Sequence, residues 1–349
     1  LRPSAEPLLP TVESGGQRHQ RSLLRSVLLA LYTALTGAYG LSVAGFLLLH
    51  FTVGERWALV ALFNTFLHLL LLPSVALLPV SLLFRRWVAA LLVAPAFAAF
   101  TLAYGGQFLP KGGASEAESF TLLTYNVLAD NTAYAQMLAV VQSADPDVVA
   151  LQELRSEAAY YLASNLRAIY PHQALHPDAT GYAGQAVFSR YPISNDDYWQ
   201  LYQSGQRVTI ELPSKAVTLY STHMAIPWVR NFDTSNRTEE VNDLLLRAEN
   251  DAGPVLIAGD FNMTDWAADY GRVTARYADS YREVGWGMGF TFPAFSPTNP
   301  QLAFLPPLAR IDYVFHDHAF QALESTVLPD TGGSDHHPLL VRLRLLSNG

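Results

Sequence analysis

Val255–Asn262 reads VLIAGDFN. A short apolar run bounded by Pro254 has the length and composition of a buried strand. It stops in Gly259-Asp260-Phe261-Asn262, which puts a carboxylate and a carboxamide at the strand's end. An ordinary turn needs no such pairing, so this segment is read as a strand that delivers chemistry.

Outward from it, strands and helices alternate. FTLLTYNVL (120–128) reads as a strand, and AYAQMLAVVQSA (133–144) as a helix ended by Asp145-Pro146-Asp147. VVALQEL (148–154) is a second buried strand and SEAAYYLASNLRAIY (156–170) a second helix. GQAVFSR (184–190), RVTIEL (207–212) and AVTLYSTHM (216–224) read as strands, RTEEVNDLLLRAEN (237–250) as a helix. RIDYVFHD (310–317) and PLLVRLRLL (338–346) complete the set. This alternation predicts an α/β domain, with no internal repeat.

Polar residues keep falling at strand ends. Asn126 ends the first strand, Glu153 the second, and His223 closes LYSTHM. Asp312 lies in RIDYVF, and Asp335 and His336 in GGSDHHPLL (332–340) just before the last strand. Each alone is a plausible turn or structural residue; GDFN and SDHHP are the most specific. Together they match the way open α/β sheets gather ligands beyond their strand ends.

The chain has 349 residues, of which 50% are hydrophobic and only 15% charged, against roughly 25% charged in a typical soluble domain. There is no cysteine, which excludes disulfides, thiolate metal sites and a cysteine nucleophile. Eight Lys+Arg face four Asp+Glu before Glu118, and fourteen face twenty-six from there on, giving +4 and −12 of the total −8. An acidic C-terminal region disfavours nucleic acid as a partner, because phosphate neutralisation drives that binding.

The apolar excess sits in three blocks, 26–53, 57–84 and 87–109, each free of Asp, Glu, Lys and Arg except in the short breaks between them. Each reaches the ~20 residues that cross a bilayer. A cleaved signal peptide explains only the first. The expectation is therefore a disordered tail over 1–25, a three-helix transmembrane anchor over 26–109, a linker over 110–118 and a catalytic domain over 119–349. Asn64 and His68, four apart in the second block, are read as one helix face making a helix–helix contact. Arg18, Arg21 and Arg25 precede the first block, and Arg85 and Arg86 separate the last two. The positive-inside rule then predicts a multi-pass cell-membrane protein with a cytoplasmic N-terminus and an extracytoplasmic catalytic domain.

The ordered pieces TYN (124–126), LQE (151–153), STH (221–223), GDFN (259–262), RIDY (310–313) and SDHH (334–337) resemble the endonuclease/exonuclease/phosphatase superfamily, the deoxyribonuclease-I-like fold. The resemblance covers 119–346 and implies a four-layer sandwich of two packed β-sheets flanked by helices, preceded here by three transmembrane helices. Three spans before such a domain are similar to the membrane-anchored subgroup linked to teicoplanin resistance, taken to dephosphorylate a polyprenyl pyrophosphate.

Hydrolysis of a phosphate ester needs neutralised oxyanions, an activated water and a stabilised leaving oxygen. The resemblance implies Glu153, Asn126 and Asp335 as metal ligands for Mg2+, or Mn2+ in its place. Asp260 positions or deprotonates the water and Asn262 holds that water or a phosphate oxygen. His336, oriented by Asp312, contacts the phosphoryl oxygens or shares the proton work, the general base being Asp260 or His336, and His223 serves a phosphate oxygen or the leaving group. With no Ser or Cys nucleophile required, direct water attack is expected. A membrane lipid is the expected substrate partner: a polyprenyl pyrophosphate, or a phospholipid or sphingolipid head group. The alternatives are an extracytoplasmic membrane-anchored nuclease and a catalytically inactive, membrane-tethered binding module. Trp228, Trp286, Phe290, Phe292, Phe295, Phe304 and Leu305 are candidates for gripping lipid, and Arg190, Arg207 and Arg230 for clamping phosphate, each with ordinary packing or surface charge as the competing reading.

Overall fold

The computed structural model describes residues 15–111, 119–301 and 304–346. They form two compact units. One comprises the described residues through Leu48 together with His68–Leu102; the other comprises Leu49–Leu67 and the described residues from Ala103 onward.

The N-terminal region is helical: α1 (Gly15–Thr52), α2 (Ala58–Thr65), α3 (Leu67–Leu71), α4 (Pro73–Leu83) and α5 (Trp87–Tyr104). Two stretches, His19–Thr52 and Trp87–Phe108, are long and apolar enough to cross a membrane. The middle block differs from the single straight span expected, because Ala58–Thr65 and Leu67–Leu83 meet at a 74° bend. Asn64, near the end of α2, binds His50 Nδ1 at 2.8 Å and Glu55 Oε1 at 2.9 Å through its side chain. Asn64 and His68 therefore sit on different helices and do not share a face. The expected tail is corrected from Gly15 onward, where the chain is already helical; Arg, Gln and Leu are good helix formers and extend α1 backward from its apolar block. Residues 1–14 and most of the expected linker, 112–118, lie outside the described residues.

The catalytic region carries twelve described strands: β1 (Phe120–Asn126), β2 (Val148–Gln152), β3 (His172–His176), β4 (Gln185–Ser189), β5 (Ile193–Gln200), β6 (Ser204–Glu211), β7 (Ala216–His223), β8 (Val255–Asp260), β9 (Ala278–Asp279), β10 (Asp312–His316), β11 (Phe320–Val327) and β12 (Leu339–Leu345). Its helices are α6 (Tyr134–Ala144), α7 (Ser156–Leu166), α8 (Ser235–Glu249), α9 (Ala268–Thr274) and α10 (Ser280–Val284). One six-stranded sheet has the order β11-β12-β1-β2-β4-β3 and the other β5-β6-β7-β8-β10-β9. Each is mixed, with one central parallel pair, β1–β2 and β7–β8, joined through α6 and α8.

Alternation along the central strands builds three layers of core. Leu122, Val148, Val187, Leu219, Leu256, Val314 and Val341 meet between the two sheets. Their sequence neighbours face the other way: Leu123, Val149 and Phe188 pack with Met137 and Leu162 of α6 and α7. Ile257, Tyr313 and Phe315 pack with Val241 and Leu244 of α8. Strands buried on both faces read as continuous apolar runs, which is why these were recognisable in the sequence. The expected sandwich of two packed sheets flanked by helices is the fold observed.

A polar seam also joins the sheets. Gln152 Nε2 donates to Ser221 Oγ (3.1 Å), and Ser221 Oγ donates to Gln185 Oε1 (2.8 Å). Hydrogen bonds across an otherwise apolar interface fix the register of one sheet on the other. The strand ends that carry function are thereby held at one edge.

Candidate active site

Strand register brings the predicted residues together. In the second sheet, Asp260 lies directly opposite His223 of parallel β7 and opposite Asp312 of antiparallel β10. This close approach requires a glycine before Asp260. A Cβ on Gly259, where φ is +140°, would meet the Thr222 carbonyl oxygen at 1.9 Å. In the first sheet, β1 and β2 end side by side, with Asn126 opposite Gln152 and Glu153 one residue beyond.

Hydrogen bonds stitch the two sheet ends into one cluster. Asn126 Nδ2 donates to Glu153 Oε1 (2.9 Å) and to Asp260 Oδ2 (3.0 Å), bridging the sheets. The other Glu153 oxygen accepts from Ala129 N–H at 3.0 Å. Asp260 Oδ1 accepts from Asn262 N–H (2.9 Å), and Asn262 Nδ2 lies 3.3 Å from Asp260 Oδ2. Glu153 and Asn262 both hold left-handed backbone, with φ of 56° and 47°. Side-chain-bearing residues take that conformation at a cost, and it is concentrated where geometry is fixed for function.

His336 Nδ1 donates to Asp312 Oδ2 at 3.0 Å, which leaves Nε2 facing Asp260 Oδ2 at 3.7 Å. That gap is too long for a direct hydrogen bond. His223 is set in the same way: Nδ1 donates to the Tyr182 carbonyl at 2.9 Å, so Nε2 points between Glu153 Oε1 (3.6 Å) and Asp260 Oδ2 (3.8 Å). His223 Nε2 and Asp312 Oδ1 are buried without a hydrogen-bond partner among the described residues. Asp335 lies on the same pocket, its Oδ1 4.0 Å from His336 Nε2. The pocket has a volume of about 360 Å3, and Glu153, Asp260, Asn262, Asp335, His336 and Trp228 contribute to its wall.

Two groups of side chains place potential ligand atoms within 4.8 Å of one another: Glu153–His223–Asp260 and Asp260–Asp312–His336. Four carboxylates converge here with two imidazoles, and an unpartnered imidazole nitrogen is aimed among them. Buried carboxylates at this spacing repel, so a hard divalent cation suits the donor set. Asn126 appears here as a donor to Glu153, orienting it, rather than with its oxygen free: Asn126 Oδ1 accepts from Leu128 N–H at 3.0 Å.

Burial pushes the Asp260 carboxyl up to about 6, against the opposing pull of His336 and His223. For His336, burial alone would lower the imidazole, but Asp312 and Asp260 hold its protonation well above the ordinary histidine range. Both groups bind protons more readily in the fold than in the unfolded chain. Their stabilisation is complete below the unfolded values, about 3.9 and 6.5, and is lost as pH rises through the folded ones. The metal-free protein is therefore expected to melt at progressively lower temperature as pH rises through about 6. Asp260→Asn should flatten that part of the profile in a thermal-melt series; an unchanged profile would remove Asp260 as its source.

Several positioning groups were missed in the sequence. Ser334 Oγ donates to the Asn126 carbonyl (2.7 Å) and accepts from His336 N–H (3.1 Å), locking β1 to the SDHH turn. Asn299 Nδ2 donates to Asp335 Oδ2 at 2.9 Å. Ser334 was visible within SDHH; Asn299 and the Tyr182 carbonyl had no local signature. The arginines proposed as clamps are elsewhere engaged: Arg190 with Asp145 and Asp147, Arg207 with Asp251, and Arg230 with Asp233. The aromatic candidates divide. Trp228 and Phe292 line the pocket, whereas Trp286, Phe295 and Phe304 are exposed.

Comparisons with known proteins agree with this geometry. An uncharacterized protein, YbhP, of Escherichia coli K12 is 26% identical over 265 residues, covering 65% of this chain and 97% of its own. A UPF0294 protein of Vibrio cholerae is 30% identical over 162 residues, 46% of each chain. Among solved structures, an endonuclease/exonuclease/phosphatase from Beutenbergia cavernae superposes with a TM-score of 0.52 at 23% identity, covering 66% of this chain and 72% of that one. TDP2 of D. rerio, solved with a single-strand DNA product, superposes with a TM-score of 0.54 at 18% identity, covering 65% of this chain and 100% of that one. These superpositions establish the fold. The sequence profile of the Endonuclease/Exonuclease/phosphatase family matches residues 123–336, from the first catalytic strand to His336 and over more than half of the chain, and the chain belongs to that family.

Proposed function

We propose that this phosphoester hydrolase acts on the phosphate or diphosphate of a membrane lipid, at the extracytoplasmic surface, with Mg2+ or Mn2+ bound. The observation that carries the reading is the meeting of Glu153, Asp260, Asn262, Asp335 and His336, from the ends of both sheets, in one pocket, within a chain that also holds membrane-length apolar helices. The exposed, strongly apolar helix faces, with Leu35, Leu48, Leu83 and Leu91 among them, suit hydrocarbon better than water.

Glu153 is the leading ligand for the cation, with Asp335 as a second carboxylate on the same wall and Asn126 holding Glu153 in place. Bound there, the cation supplies charge neutralisation for the phosphoryl oxygens. Asp260 takes the proton of the attacking water. Its carboxylate is ionised at neutral pH yet basic enough to accept, which is the condition for general-base work. Asn262 and Asn126 hold that carboxylate by three N–H contacts. His336, fixed by Asp312, presents Nε2–H to a phosphoryl oxygen, and His223 Nε2 faces the same space for a phosphate or leaving oxygen. No side chain is asked to attack phosphorus.

The −12 charge of the catalytic region and the aromatic pair at the pocket favour an amphiphile over long nucleic acid. The full chain, purified in lipid nanodiscs, should release phosphate from a polyprenyl diphosphate or cleave a phosphodiester lipid when Mg2+ is present. Faster turnover of single-stranded DNA than of either lipid would overturn the reading in favour of a tethered nuclease. No turnover of any of the three, with Mg2+ bound, would point to a binding module.

A further inference from the structure

Next to the catalytic pocket lies a second cavity of about 230 Å3. Its wall is apolar, with Pro227, Met263, Pro293, Leu305, Leu308 and Ile311 among the lining residues. Three residues, Trp228, Asn262 and Phe292, line both spaces. The Phe292 ring stacks on Trp228 at 5.9 Å and stands 4.9 Å from the His336 ring. The two spaces are thus neighbours divided by one aromatic pair, with phosphate chemistry on one side and hydrocarbon on the other.

Part of the wall comes from the break in the second apolar block. Thr65, the last residue of α2, and Phe66, between α2 and α3, line the cavity. This turn is fastened to the catalytic region, since Thr264 Oγ1 donates to the Asn64 carbonyl at 3.2 Å and buried Arg237 reaches Glu55 Oε2 at 3.4 Å. Arg237 also donates to the Asn262 carbonyl at 2.9 Å. A segment of membrane-like composition is therefore built into the wall of a space that opens beside the catalytic His336. Protein interiors are close-packed, and an apolar hollow of this size flanking a cluster of convergent polar groups is the form of a ligand site.

We infer that this cavity receives the hydrocarbon chain adjoining the substrate's phosphate, with Trp228 and Phe292 holding its first carbons. The inference rests on the lipid reading above and adds to it a chain-selecting subsite. Adjacency to the catalytic pocket decides the occupant: the two spaces share Trp228, Asn262 and Phe292, so a chain held here is within reach of a phosphate in the neighbouring pocket and belongs to the substrate rather than to a separate lipid.

The test uses the full chain in nanodiscs with Mg2+ and butyl, hexyl, octyl and decyl diphosphates, run in parallel as alkyl phosphodiesters. Each added methylene that enters the cavity should raise kcat/KM about fourfold until the space is filled. Leu308→Trp and Thr65→Trp fill the cavity from two separate segments of its wall, so that one survives if the other disturbs folding. Each should lower the octyl-to-butyl ratio of kcat/KM by about tenfold or more. If the wild type shows the chain-length rise and both folded variants retain it, the lipid reading stands and the subsite is refuted. A wild-type series that is flat with chain length refutes the subsite as well. If no alkyl substrate is turned over while single-stranded DNA is, both the lipid reading and the subsite fall.

Discussion

Asp260→Ala and His336→Ala are each expected to lower kcat by about a thousandfold or more. Asp260 is the junction of the site: Asn126 from the first sheet, Asn262 from its own loop, and both imidazoles all face it. Its carboxylate is buried and held by N–H donors, so no water can replace it in the geometry required. His336 depends in turn on Asp312 for its tautomer. Asp312→Asn should therefore fall with it, because the neutral amide removes the negative charge that helps keep the ring protonated and weakens the bond that fixes its orientation. Circular dichroism should show all three variants folded. Turnover within tenfold of wild type by a folded Asp260→Ala protein would eliminate it as the base.

Glu153→Ala should abolish cation dependence rather than only the chemical step. Both Glu153 oxygens are oriented by N–H donors, and its backbone is held at a positive φ, so the carboxylate cannot be supplied by a neighbour shifting over. The expected result is a loss of about a hundredfold or more in apparent Mg2+ affinity. It is measurable as weakened Mn2+ binding by electron paramagnetic resonance, independently of activity. Asp335→Asn should weaken binding less. Equal Mn2+ affinity in wild type and Glu153→Ala would remove Glu153 as the leading ligand.

What the sequence revealed follows from where each strand sits. The central strands β1, β2, β4, β7, β8 and β10 are buried on both faces, and their apolar runs were readable; β12 buries one face, and its alternating apolar residues marked it. The strands that escaped notice, β3, β5, β9 and β11, are the four sheet edges. HQALH and ISNDDYWQ carry polar side chains at an exposed margin, where no apolar run is needed. Asn126, Glu153, His223, Asp260, Asn262, Asp312, Asp335 and His336 were legible because each terminates or adjoins a central strand. The structure brings them together. Asn299 and the Tyr182 carbonyl were not legible, because their roles come from loop packing across long sequence separations. The broken second apolar block was not legible either: its composition fits one span, and no Gly or Pro marks the turn at Phe66.

The most direct measurement is anomalous diffraction from crystals of the full chain soaked in Mn2+. The site proposed here predicts a peak in the pocket shared by Glu153, Asp260 and Asp335, with the Glu153 carboxylate within coordination distance. Mn2+ bound only at other acidic groups, with the Glu153 pocket empty at saturating metal, would contradict it.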